Sequence, residues 1–248
     1  MTAHVDPAPI TRTEDVARLL QPVVVGGDIL AYSYVRELHR AFGIESTVVL
    51  ATQNIKMLSE SRFTDYRLEP HIHEQEGLYN ALERIAQDVH GAHPEKTLLI
   101  LGCDDCHARM LSQGKQRLQD LGYVVPYIDF PLLDDITQKR RFYEICEELD
   151  IPFPKTWYFD CGNGPDELPV SEFPYPLIAK PSNSAQFQDA EPSIEGWRKI
   201  YEIESPEELA QVWRSIRTSD YNNLLVLQDF IPGGDDAIRT LTTFSDAS

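Results

Sequence analysis

The first regular feature of the chain is a short apolar run, Pro22-Val23-Val24-Val25, followed at once by Gly26-Gly27-Asp28. Tyr34, Val35, Leu38 and Phe42 then return at three- and four-residue intervals, the spacing of one helical stripe. The same alternation continues. Residues 46–50 predict a second strand, Leu78, Leu82, Ile85 and Val89 a second helix, and residues 97–101 a third strand. Met110, Leu111, Leu118 and Leu121 predict one more helix, and residues 123–128 a fourth strand. Strand and helix in strict turn predict an α/β unit over residues 21–130, with a parallel sheet covered on both faces. Residues 1–20, polar and proline-containing, predict a loose lead-in.

A second unit is expected over residues 131–227. Asp135 and Gln138 have the spacing of a capping box, ahead of a helix whose buried stripe is Phe142, Ile145, Cys146 and Leu149. Asp150-Ile151-Pro152-Phe153-Pro154 ends that helix, because the residue before a proline avoids helical geometry. Short strands are expected at 156–159 and 177–180, with a Gly-, Pro- and Asp-containing loop over 160–174. Ser205-Pro206-Glu207-Glu208 combines a cap, an N1 proline and a capping glutamate, and Leu209, Val212, Trp213 and Ile216 give the helix it opens an apolar face. Residues 224–228 predict a strand that turns out through Ile231-Pro232-Gly233-Gly234. The first of the two units resembles a half-Rossmann domain.

Composition narrows the function. With 22 basic and 40 acidic residues the formal net charge is −18, which disfavours nucleic-acid backbones and anionic lipid surfaces. A compact anion is still admissible, because a few local cations outweigh a distant, salt-screened field. No apolar run is long enough to span a bilayer and the N-terminus lacks the apolar core of a signal peptide. Four scattered cysteines do not suggest a disulfide framework, so a reducing cytoplasm is the expected setting.

Three segments carry candidate chemistry. Lys139, Arg140 and Arg141 fall in the first turn of a predicted helix, where cations oppose the helix dipole. They read either as a solvated basic cluster or as the neighbours of a bound anion. Lys180 closes a buried strand ahead of Ser182-Asn183-Ser184-Ala185-Gln186, which reads as a surface loop or as a phosphate-approaching one. Gln228-Asp229-Phe230-Ile231 ends a strand at an open backbone edge that suits an adenine ring, and Asp235 has the reach to accept from ribose hydroxyls.

In this order, Lys139 in DDITQKRRFYEICEELDIPFPKT, Lys180 in YPLIAKPSNS and the segment LLVLQDFIPGGDDAIRTLTTFSD resemble the ATP-grasp superfamily from about Pro131 onward. Its closest branch in texture is the D-aspartate ligases of bacterial cell-wall synthesis. The resemblance implies a pre-ATP-grasp half-Rossmann domain, then the first ATP-grasp subdomain. Residues 228–248 would be the adenine hinge and the start of a truncated second subdomain. It implies ATP and Mg²⁺ as cofactors. Lys139 and Lys180 would contact phosphates, with Ser182, Asn183 and Ser184 in the loop over them. Gln228, Asp229, Phe230 and Ile231 would hold adenine, and Asp235 ribose. The reaction implied joins a small carboxylate to an amine through an acyl phosphate. The alternatives are a ligase for another amino acid and a nucleotide-binding module without catalysis. A homo-oligomer is compatible with all of these. The glycines common in the phosphate loop of relatives are missing. The family's acidic Asp…Glu-x-Asn metal ligands are expected beyond Ser248, so the chain reads as an amino-terminal part and no metal ligand is assigned within it.

The half-Rossmann unit offers Asp28, at the end of the first strand, as a contact for a substrate amino group. Asp104 and Asp105, after the third strand, read as a plain turn or as substrate contacts. Cys103-Asp104-Asp105-Cys106-His107 matches the CxxCH spacing of haem attachment, but without a signal peptide or distal methionine, haem and zinc are set aside there. His71-Ile72-His73 has the residue types to bind a metal, but the surrounding Glu69, Glu74 and Glu76 suggest a solvated loop.

Overall fold

The computed structural model describes residues 13–241 and Thr243, excepting the side chains of residues 13, 14, 185 and 235. The chain divides into two compact units, with the boundary between Asp135 and Ile136.

In the first unit, strands β1 (Leu20–Val25), β2 (Thr47–Ala51), β3 (Thr64–Leu68), β4 (Thr97–Gly102) and β5 (Tyr123–Val124) form a wholly parallel sheet in the order β3-β2-β1-β4-β5. Such a sheet is covered on both faces, which is why its strands are continuously apolar rather than alternating. Val23, Val25, Val48 and Leu50 enter one core, while Val24 and Val49 enter the other. The helices here are α1 (Thr13–Leu19), α2 (Ile29–Phe42), α3 (Lys56–Ser59), α4 (Gln75–Ala92), α5 (Asp105–Gln113), α6 (Lys115–Asp120) and α7 (Phe130–Thr137), which crosses the boundary.

The second unit places α8 (Lys139–Glu148), α9 (Ser184–Asp189) and α10 (Pro206–Arg217) with an antiparallel sheet. Its strands β6 (Thr156–Asp160), β7 (Leu177–Pro181), β8 (Tyr201–Ile203) and β9 (Leu224–Asp229) lie in the order β6-β9-β7-β8. One face alternates inward as expected for such a sheet: Leu177, Ala179 and Leu227 join Trp213, Tyr221 and Phe187 in a single core. The cap read at Ser205 is present, with its hydroxyl accepting from Glu208 N and Glu208 returning to Glu204 N.

Several local expectations are corrected. Asp135 lies inside α7, and the residue at the N-cap position of α8, which begins at Lys139, is Gln138. Leu132, Leu133 and Ile136 supply a helical stripe of their own, and Pro131 is tolerated in a first turn. The fourth strand stops at Val124, because Pro126 has no N–H to continue a ladder. The helix over 110–121 breaks at Gly114, where an added Cβ would lie 2.5 Å from the Tyr79 ring. Residues 13–19 of the expected lead-in are helical, and residues 1–12 lie outside the described ones. Edge strand β3, with the sequence TDYRL, has too little apolar character to be seen by pattern.

Candidate functional site

Two places gather the chemistry, one in each unit. In the second unit, antiparallel register sets the first. Thr156 and Ile178 flank Gln228 on either side, and Lys180 lies two residues beyond Ile178 on the same face. That face lies opposite the core. Gln228 is buried and links the strands: Lys180 Nζ donates to its Oε1 at 2.8 Å, and its Nε2 donates to Thr156 Oγ1 at 2.9 Å.

Lys139 enters from the first turn of α8. Of the three consecutive bases there, Arg140 pairs with Glu144 and Arg141 with Glu148 on their own helix. Lys139 instead donates to Ser182 O at 3.1 Å. Burial, and then the Lys180 ammonium, pull the Lys139 pKa below its usual value. Among the described residues no carboxylate pairs with either lysine. Both line a cleft of about 240 Å³ with Ile136, Thr137, Phe142 and Tyr143. Two ammonium groups facing one cleft raise the positive potential there.

The rest of the predicted nucleotide set is placed as follows. Ser182 N donates to Leu224 O, and Asn183 N lies 3.4 Å from the Tyr221 hydroxyl. Asn183 Oδ1 caps α9, of which Ser184 is the first residue. The segment after Lys180 is thus a capped helical turn whose first amides already have partners, not an open loop. Asp229 N donates to Lys155 O and Phe230 N to Pro176 O, which leaves the Ile231 amide without a partner among the described residues. Ile231 itself is exposed. The backbone of Asp235 lies in a 3-10 turn, and its side chain falls outside the described residues.

In the first unit, the second place is the crevice beyond the carboxyl ends of β1 and β4, where the strand order reverses. Gly26, with φ of 131°, lets the chain leave β1 against Cys103, whose Cβ would stand 2.6 Å from a Cβ at that position. The pocket measures about 200 Å³ and is lined by Asp28, His73, Cys103, Asp104 and His107 among others. Asp28 Oδ1 caps α2, accepting from Leu30 N and Ala31 N. Asp104 Oδ1 caps α5, accepting from His107 N at 2.7 Å. Asp105 is the exposed first residue of α5 and does not line the pocket.

Burial, with Asp28 and Asp104 adding to it, pushes the Cys103 thiol up to about 12. Burial likewise lowers the His107 pKa, against the opposing pull of Asp104. All four cysteines are free. His73 and His107 stack with ring centroids 4.9 Å apart. Sequence reasoning met the two histidines in separate motifs, and nothing in their spacing showed that the β3–α4 connection returns to the start of α5.

No protein-family model matches the chain. D-aspartate ligase of Enterococcus faecium (strain Aus0004) is 30% identical over 230 residues, which make up 91% of this chain and 53% of that protein. The chain thus spans about half the length of the curated relative it matches. Among solved structures, D-alanine–D-alanine ligase from Bacillus anthracis complexed with ATP superposes with a TM-score of 0.46 at 13% identity, covering 87% of this chain and 57% of that one. The biotin carboxylase domain dimer of Hydrogenobacter thermophilus 2-oxoglutarate carboxylase, in complex with MgADP, ADP and bicarbonate, gives 0.45 at 15% identity, covering 84% of this chain and 44% of that one. No described helix is long and apolar enough to cross a membrane. By sequence, the chain is a homologue of D-aspartate ligase along 91% of its length.

Proposed function

We propose that the chain is the nucleotide-binding part of an ATP-dependent carboxylate–amine ligase of the ATP-grasp type, acting on D-aspartate in cell-wall synthesis. The observation that carries this reading is the Lys139–Lys180 pair, two cations on one cleft with no carboxylate partner among the described residues. The homology supplies the reaction class. In that reaction a substrate carboxylate attacks the γ-phosphate of ATP, ADP leaves, and an acyl phosphate forms. An amine then attacks the acyl carbon, phosphate leaves, and an amide remains. Lys139 and Lys180 neutralise phosphate charge, which is the main task of a protein in phosphoryl transfer. The Ile231 amide is the donor left for adenine. In the first unit, Asp28 caps α2 through Oδ1 and offers Oδ2 to a substrate ammonium. Magnesium would screen the phosphates, but the lysine cleft is lined by no carboxylate, so no residue here is assigned to it.

ATP at about one hundred times its Kd should stabilise the folded chain by about 2.7 kcal/mol. That is a rise in Tm of roughly 5–10 °C. Lys180→Ala should remove most of the rise. Equal shifts in wild type and variant would overturn the phosphate assignment. Phosphate release, measured with ATP, Mg²⁺ and a panel of D- and L-amino acids on the full-length protein, tests the ligase reading. D-aspartate should give the largest rate. Nucleotide binding without amino-acid-dependent release would favour the non-catalytic module.

A further inference from the structure

We infer that His73, Asp104 and His107 form a binding site for a first-row divalent transition ion, zinc in the first instance, in the crevice of the first unit. One ligand atom from each residue lies within 4.8 Å of the others. Zinc takes imidazole and carboxylate ligands at about 2.0–2.2 Å, so tetrahedral partners stand roughly 3.4 Å apart. The closure needed is a side-chain rotation of His73, which is exposed and would give up its stacking on His107 to make it.

The second observation is His107 itself. It is 1% exposed, and neither ring nitrogen has a hydrogen-bond partner. Asp104 Oδ2 comes within 3.0 Å of Nδ1 but without the alignment of a hydrogen bond. A buried imidazole nitrogen left unsatisfied costs about 1–3 kcal/mol, and a metal ion would satisfy one of the two. Asp104 is already oriented for the task. Its Oδ1 is fixed by His107 N at the start of α5, which holds Oδ2 toward the histidines. Asp28, on the same pocket, adds a second negative charge. Two imidazoles and one carboxylate leave at least one coordination position open to the pocket, where water can enter.

The donor set selects the ion. Magnesium and calcium prefer all-oxygen shells, whereas nitrogen donors favour zinc, cobalt and nickel. The site is therefore distinct from the magnesium that accompanies ATP. It uses neither cysteine of the CxxCH segment. It also does not depend on the ligase reading.

The test is calorimetric titration of the tag-free, metal-stripped full chain with zinc, together with absorption spectra of its cobalt complex. One zinc per chain should bind and resist a large excess of magnesium. Cobalt should show nitrogen and oxygen coordination without thiolate charge-transfer bands. His73→Ala, at an exposed position, should weaken binding about tenfold to a hundredfold or more. Asp104→Asn should do the same while keeping the cap on α5, since asparagine caps as well as aspartate. Absence of binding, displacement by magnesium, thiolate bands, or zinc affinity unchanged in both variants would overturn the assignment.

Discussion

Lys139 shows how one residue's electrostatics is linked to its chemistry. The unfolded lysine keeps its proton to a higher pH than the folded one, whose pKa is lowered by burial and by Lys180. Between the two pKa values unfolding takes up a proton, so stability should rise with pH across the interval below the ordinary lysine value. Guanidinium unfolding of wild type and Lys139→Met over that alkaline range would show it as a slope present only in wild type. Near neutral pH, Lys139→Met should move the apo Tm by less than about 3 °C, since losing the bond to Ser182 offsets the relieved repulsion. The variant should nonetheless lose most of the protection that tripolyphosphate gives wild type. Protection unchanged by the substitution would detach Lys139 from the proposed anion site. Cys103 and Cys106 illustrate the opposite case. Burial comes first among the causes that raise both pKa values, so both are thiols at neutral pH and should react with disulfide reagents more slowly than free cysteine. The double serine variant should fold and bind nucleotide normally. The lysines were legible in the sequence because each sits at an element end whose pattern is plain. The partner of Lys180 was not, because only antiparallel register brings Gln228 beside it.

The elements of the first unit place function at their ends. Asp28 and Asp104 are helix caps and pocket residues at once, and Gly26 clears the floor between them. Gly26→Ala would put a Cβ 2.6 Å from that of Cys103 on a backbone that L-residues rarely adopt. It should cost about 1–3 kcal/mol of stability, measurable by denaturant titration. A neutral result would mean that β1 and α5 shift apart easily. Strands β1, β2, β4, β7 and β9 were legible because each contains a run of at least three apolar residues. Strands β3 and β8 and the short helices α3 and α9 were not. Tertiary pairing, rather than their own composition, holds them in place.

For the whole molecule, three hydrophobic cores, two in the first unit and one in the second, imply that each unit responds to its own ligand. Hydrogen exchange with ATP present should slow in α8, at the end of β7 and around residues 228–231, and leave β1, β2 and β4 unchanged. Slowing spread evenly over both units would contradict the placement of phosphate on Lys139 and Lys180. The α/β class follows from strand–helix alternation and was readable. The strand order in the second unit was not, and it has a consequence for how the protein is made. The parallel sheet of the first unit is complete once Val124 has been synthesised. In the second unit, β9 sits between β6 and β7 although it comes last. Thr156 must wait for Gln228, 72 residues later. During translation β6 therefore emerges without a neighbour and its edge stays open until Leu224–Asp229 has left the ribosome. Lys180 gains its orienting partner only then, so the proposed anion site cannot take shape before that strand has been made.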